Sequence, residues 1–212
     1  MMLRDLLVSG KAFKKVDQRG IDIFVLILLL VGLLSTGCAP QAGEPTEIAS
    51  NSTYEVAPVF REFYAVLGGE AVFGPPISQR FSYEELTCQY TVNALMCQDP
   101  FKSGAERFML YPLGRVYELF DPDSAQIGED YSVYEAFQPM YEQLSGERYA
   151  GKALTGLLVN PEKNRIEQYF ENVGFYSLLN DPKSAVQLLA YGAYACDDLC
   201  DYAPVANAMP TG

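Results

Sequence analysis

The 212-residue sequence contains no histidine and no tryptophan. The missing imidazole excludes more than any motif present. It is the usual general base near neutral pH and the commonest metal ligand. Ser-His-Asp and Cys-His nucleophilic sites are therefore impossible, and so is a His-ligated zinc site. Basic side chains are scarce as well: 15 Lys and Arg stand against 27 Asp and Glu, a net charge of −12. The first 37 positions hold five of the bases and three of the acids, so the remainder has 10 against 24 and carries −14. Such a surface repels phosphate backbones, which argues against nucleic acid as a partner, and opposes adsorption to anionic lipid. A membrane-length hydrophobic run is also lacking. The apolar stretch Ile23 to Leu34 is 12 residues long with Gly32 counted in. As a helix it reaches roughly 18 Å, against a hydrocarbon core about 30 Å thick. Extension to Ala39 adds little, and Asp22 blocks the other side.

What is present can bury a core. About half the chain, 49%, is hydrophobic, with 15 Tyr and 12 Phe. The length suits one ordinary domain or two small ones. The apolar run, preceded by a polar segment of positive charge, has the length of a signal-peptide core. Small residues follow it: Ser35, Thr36, Gly37, then Cys38. The stretch "LSTGC" resembles the lipobox of bacterial lipoproteins, in which a peptidase cuts before a cysteine that becomes lipid-modified. The family prefers Leu three positions before the cysteine; here Ser35 stands there and Leu34 one further back. The resemblance implies lipidation at Cys38, after removal of residues 1–37. The alternative is an uncleaved signal anchor with an incidental cysteine. Either way the positive segment stays inside and the rest is exported. Residues 38–53, "CAPQAGEPTEIASNST", have almost nothing to bury and read as a flexible tether.

The most informative feature is an internal duplication. "FREFYAVLGGEAVFGPPIS" from Phe60 aligns without gaps on "FQPMYEQLSGERYAGKALT" from Phe137, with six of 19 positions identical. Gln89-Tyr90 matches Gln168-Tyr169, Asn93 matches Asn172, and Gly114 matches Gly192. Two copies of one unit are expected at 54–130 and 131–204, with a tail at 205–212. Each copy is small, so the two should pack together. Phe60, Phe63, Tyr64 and Leu67 recur at i, i+3, i+4 and i+7, which predicts a helix face that Phe137, Met140, Tyr141 and Leu144 repeat. Ser132 with Glu135 looks like a capping box, although the second helix could instead start near Pro139. Gly68-Gly69 suits a helix stop. The turns "FGPPIS" and "AGKALT" follow, then the hairpins "CQYTVNALMC" and "EQYFENVGFYSLL". The expected class is α+β: a tandem duplication of a helix–turn–antiparallel hairpin unit behind a leader.

The order resembles the LGFP-type repeats of exported bacterial proteins, carried by "LGGEAVFGPPIS" and "CQYTVNAL" in the first copy. The second copy keeps the weaker "LSGERYAGKALT" and "EQYFENVGF" and lacks the Pro-Pro. The resemblance implies association with the cell wall or cell surface.

Four cysteines remain: Cys88, Cys97, Cys196 and Cys200. An even count in an exported chain favours disulfides. Positions paired across a turn have a constant sum, and 88 with 97 centres a turn on Val92-Asn93, so these two should face each other. The expected pairing is 88–97 with 196–200, among three connectivities. A four-thiolate metal site is opposed by the spacing and by oxidising conditions, so no metal or cofactor is expected. The acidic pairs Glu84-Glu85, Glu129-Asp130 and Asp197-Asp198 read as solvated surface rather than as hydrolase carboxylates. "DPDSAQIGED" from Asp121 reads as the linker between copies, with calcium binding as the alternative. Tyr83, Tyr90, Tyr169 and Phe170 sit in strand-like segments. They are the candidate rings for sugar stacking, with core packing as the competing role. The functional expectation is a non-enzymatic, membrane-anchored, extracytoplasmic module for cell-wall glycan or an envelope protein. An accessory subunit of a membrane complex and a carboxylate-based hydrolase are the alternatives.

Overall fold

The computed structural model describes residues 54–120, 131–181, 185–196, 199–200 and 209–210. Cys38, the leader, the tether and the segment 121–130 lie outside these residues. All described residues belong to one compact unit, Ser50–Gly212. Among them no helix is long and apolar enough to cross a membrane.

The fold is α+β, with two four-stranded antiparallel sheets in simple meander order. The first half has α1 (Arg61–Val66), α2 (Gly69–Phe73), β1 (Phe81–Tyr83), β2 (Leu86–Tyr90), β3 (Leu95–Gln98), β4 (Phe108–Leu110) and α3 (Leu113–Val116). The second has α4 (Gln138–Gln143), β5 (Leu158–Asn160), β6 (Arg165–Tyr169), β7 (Gly174–Leu178), β8 (Gln187–Leu188) and α5 (Tyr191–Ala195). A 3-10 turn, Gly146–Arg148, stands where the first half has α2.

The helices have four to six residues, too few to persist on helix propensity. Burial of one apolar face holds them instead. Phe60, Phe63 and Leu67 of the first half, and Phe137 and Leu144 of the second, enter one cluster together with Phe73, Met96, Phe170 and Phe175. A second cluster gathers Ile77, Tyr90, Leu95 and Leu113 with Tyr169, Leu189 and Tyr191. Both clusters draw on both halves, so neither half has a core of its own. The helix face agrees with its sequence period. The capping box does not form: the helical stretch opens at Glu135 behind Tyr134 with no side-chain cap. The Ser132 carbonyl accepts a bond from Gln168 Nε2 at 2.9 Å instead. Pro139 sits in the first turn of α4, where its missing N–H costs nothing. Gly68 stops α1 in a left-handed conformation (φ 113°), but Gly69 then opens α2 rather than ending the helical region.

The hairpin register follows the cysteine spacing. Cys88 stands opposite Cys97 and Tyr90 opposite Leu95, around a Val92-Asn93 turn. In the second hairpin Glu167 faces Tyr176 and Tyr169 faces Gly174. The Cys88–Cys97 and Cys196–Cys200 disulfides are both formed. They fit an oxidising compartment.

Several side-chain bonds of the first half have a counterpart in the second. Gln89 Oε1 accepts from the Ala57 N–H at 2.8 Å. Its Nε2 donates to the Glu55 carbonyl at 2.8 Å and the Ser78 carbonyl at 3.0 Å. Gln168 accepts from the Tyr134 N–H at 2.9 Å and donates to the Ser132 and Thr155 carbonyls at 2.9 and 3.0 Å. One amide thus ties the chain before the helix to the turn after it, which needs a donor and an acceptor on one side chain. Asn93 donates to the Val72 carbonyl at 2.8 Å and Asn172 to the Tyr149 carbonyl at 2.9 Å.

The join between the halves is reciprocal. The Gly114 N–H in α3 donates to the Glu171 carbonyl at 2.9 Å, in the second hairpin turn. The Ala193 N–H in α5 donates to the Val92 carbonyl at 2.8 Å, in the first. A Cβ on Gly114 would overlap the Phe170 carbonyl, and one on Gly192 the Thr91 carbonyl. Both glycines are there because backbone meets backbone.

Candidate functional site

Residues of both halves line a groove of about 800 Å³. Helix α1 forms one wall with Glu62, Phe63 and Val66, and Pro58 joins it from the turn before the helix. Gly104, Ala105 and Arg107 come from the corner before β4, and Ser145, Arg148 and Tyr149 from the second half. Phe63, Phe108 and Tyr149 form an aromatic floor. Phe63 stacks on Phe108 at 5.3 Å and meets Tyr149 edge-on at 5.2 Å. The Arg107 guanidinium lies over the Phe108 ring at 4.6 Å, and that of Arg148 over Tyr149 at 5.1 Å. Both are within cation–π range.

Among the described residues, neither arginine has a carboxylate within ion-pair distance, whereas Arg61, Arg115 and Arg165 each do. Arg107 Nε is buried with no hydrogen-bond partner. Glu62 is the one carboxylate lining the groove. The groove therefore offers positive charge and apolar surface together. Chemically it can hold an anion beside a hydrophobic group. General acid–base hydrolysis by two carboxylates lacks its second group there.

A tyrosine cluster packs against the second core cluster beside the first sheet. Tyr83 and Tyr111 meet edge-on at 5.2 Å. Desolvation first, and then the hydrogen bond and the charge of Tyr83, push the Tyr111 phenol up to about 12. Burial, with Tyr117 second, raises Tyr90 further still. Tyr83 is half-buried and keeps some open surface. Tyr90, Tyr169 and Phe170 are interior. The expectation that these three offer rings for sugar stacking is corrected by their burial, since stacking needs an open ring face. Strands β2 and β6 are covered on both faces near their ends, and three consecutive residues of each are buried. Tyr90 and Tyr169 end these strands, and Phe170 follows directly.

The second sheet holds a buried charge network. Arg165 is 0% exposed and Glu167 2%, with Arg165 Nε 2.7 Å from Glu167 Oε2. Arg165 and Lys163 also donate to the Met209 carbonyl, each at 2.8 Å. Burial, then the neighbouring Arg165, lowers the Lys163 pKa. The network pins a C-terminal residue to the sheet, a structural use of charge.

Sequence reasoning had no hold on Arg107 and Arg148, which lie 41 positions apart and in different halves. The faint available signal was an Arg-aromatic dipeptide at each place. No protein-family model, curated protein or solved structure matches this chain.

Proposed function

We propose that this chain is an exported, lipid-anchored binding module without catalytic activity, built by tandem duplication and facing the cell wall or a neighbouring envelope protein. Cys38 carries the lipid, and the tether 38–53 lets the folded part reach away from the membrane. The observation that carries the binding role is the cationic, apolar groove: it gathers two arginines that have no carboxylate within ion-pair distance among the described residues. The disulfides support export. The likeness of "LGGEAVFGPPIS" to LGFP-type repeats supports the envelope as its place of work.

A second reading, an accessory subunit held by an uncleaved helix, draws on the exposed Leu157 and Val159, two residues apart at the edge strand β5. Neighbouring apolar side chains of this kind suit a protein contact.

The test has two arms. Acyl labelling in the exporting host is expected to mark the wild type and to vanish in Cys38→Ser. Purified protein mixed with isolated cell-wall sacculi, or with solubilised envelope proteins, is expected to be retained saturably by at least one of them. Retention by neither, with the protein oxidised and folded, sinks the binding role.

A further inference from the structure

We infer that the groove between α1 and the Arg148–Tyr149 corner docks a short extended peptide of a partner protein, one that carries an apolar side chain next to a carboxylate. This rests on the binding-module reading and narrows it to a protein ligand.

The first argument is charge. The folded part carries more than two acids for every base, yet Arg107 and Arg148 converge on one groove without a carboxylate partner among the described residues. Arg107 Nε, a buried donor without an acceptor, is the kind of group a ligand oxygen satisfies. The second argument is the state of the rings. Phe108 has Phe63 stacked on it and the Arg107 guanidinium over its ring. Tyr149 has Arg148 over its ring and Phe63 against it. Sugar stacking needs an open ring face, so this floor suits aliphatic groups and anions instead. The third is shape. The wall formed by α1 has six residues, roughly 9 Å along the helical axis. That length accommodates about three residues of extended chain. The acidic remainder of the surface disfavours an anionic membrane as the source of the negative group.

The fourth argument comes from the equivalent place in the other half. There Ala185 and Val186 stand for Arg107 and Phe108, through the pairing of Phe175 with Leu188 that matches Met96 with Leu110. Ala71 and Val72 stand for Arg148 and Tyr149. Gln143, at the position of Val66, folds over that site to the Leu67 carbonyl at 3.4 Å. Val66 is instead 75% exposed. Among the described residues, one copy of the site holds two arginines and the other holds alanines in their places.

The test titrates full-length protein in nonionic detergent with acetyl-Glu-Leu-Glu-Leu-amide by calorimetry. Saturable binding below about 1 mM is expected. The Gln-for-Glu peptide should bind at least about tenfold more weakly, because the charge-assisted bonds are lost. Arg107→Gln with Arg148→Gln should lose a similar factor, while Arg80→Gln, an exposed arginine outside the groove, changes nothing. Side-chain Nε–H resonances of Arg107 and Arg148 should shift in the wild type, a readout that survives if the double variant fails to fold. Equal affinity for the Glu and Gln peptides, shifts at Arg80 alone, or no binding below that limit overturns the assignment. Tighter, Arg107-dependent binding of sodium decanoate overturns the peptide in favour of a fatty carboxylate. Peptide failure with sacculus retention intact in the double variant removes this groove and leaves the binding module standing. Failure of peptide, sacculi and envelope proteins together removes both.

Discussion

Cys88 and Cys97 face each other across the first hairpin, and the same two places in the second hairpin hold Glu167 and Tyr176. One backbone arrangement is thus stapled in two ways. In the first half the staple is covalent and closes a loop of nine residues' separation. In the second the link between strands is the Arg165 guanidinium, 5.1 Å from the Tyr176 ring, and a buried ion pair with Glu167 on the same strand holds that guanidinium in place. A disulfide acts largely by restricting the unfolded chain, and it asks little of its surroundings. A buried ion pair must be satisfied in the folded state or it becomes a liability. The difference shows in what gathers around each. Cys88 and Cys97 sit among apolar side chains. Arg165 and Glu167 collect Asn160, Tyr176 and the Met209 carbonyl. Charge in the second sheet therefore anchors a distant segment, which a disulfide there would not do.

The sharpest way to break this comparison is Glu167→Ala. It leaves the Arg165 guanidinium buried without its carboxylate, at a cost of about 3–5 kcal/mol. That is a large part of the stability of an ordinary domain. Chemical denaturation should show it directly, and a loss below about 1 kcal/mol would mean that water or another group takes over. The companion experiment rebuilds the first half inside the second. Arg165→Leu with Glu167→Cys and Tyr176→Cys copies Leu86, Cys88 and Cys97. The shared register puts the new cysteines opposite each other, so the oxidised protein should outlast the reduced one. The Met209 carbonyl loses the Arg165 donor and keeps that of Lys163, so cleavage beside Met209 should quicken.

Next in size is the covalent staple. Replacing Cys88 and Cys97 together by Ala should cost about 2–3 kcal/mol, from the entropy of a short closed loop. The loss should be smaller than for Glu167→Ala, although the two changes strike equivalent places. The reverse order, measured in the same denaturant series, would contradict the account of the second sheet as an obligatory charge network.

The conserved plan under these differences was partly legible. The hairpin register came from cysteine spacing because pairing across a turn is a local constraint. The helix faces came from periodicity. The equivalence of Gly114 and Gly192 was also visible, but its meaning was not. A shared offset shows that two residues are alike, and it carries no information that each lies against the other half's hairpin. Arg107 and Arg148 were hidden for the same reason. Tyr90, Tyr169 and Phe170 were ambiguous because alternation identifies an open face only when one face is open, and these strand ends are covered on both. The Ser132–Glu135 pattern failed because Gln168 claims the Ser132 carbonyl and keeps that stretch extended.

Gln89 and Gln168 test the likeness of the halves rather than their difference. Each ties two carbonyls and one N–H with bonds of nearly equal length. Gln89→Ala and Gln168→Ala should each cost about 1–3 kcal/mol, the price of leaving such groups unpaired. The two losses should agree within about 0.5 kcal/mol, because the three bonds lost are alike in each half. A clear inequality would show that one half relies on the other for its entering strand.

The smallest effect has the opposite sign. Gly68 ends α1 in the left-handed region, and the matching residue after α4 is Ser145, at φ 59°. A residue with a Cβ is strained there, while glycine is not. Ser145→Gly should therefore stabilise the protein by about 0.5–1 kcal/mol, less whatever glycine adds to the freedom of the unfolded chain. Gly68→Ser, the mirror change, should destabilise by more. Its Cβ would run into Val72 and Gln143 as well as straining the backbone. Gln143 also bonds the Leu67 carbonyl beside the place that matches the groove. If Gly68→Ser displaces it without unfolding the chain, the stoichiometry for acidic peptide should stay at one per chain. Ala71 and Ala185 cannot replace the two guanidiniums, and geometry without charge is then insufficient.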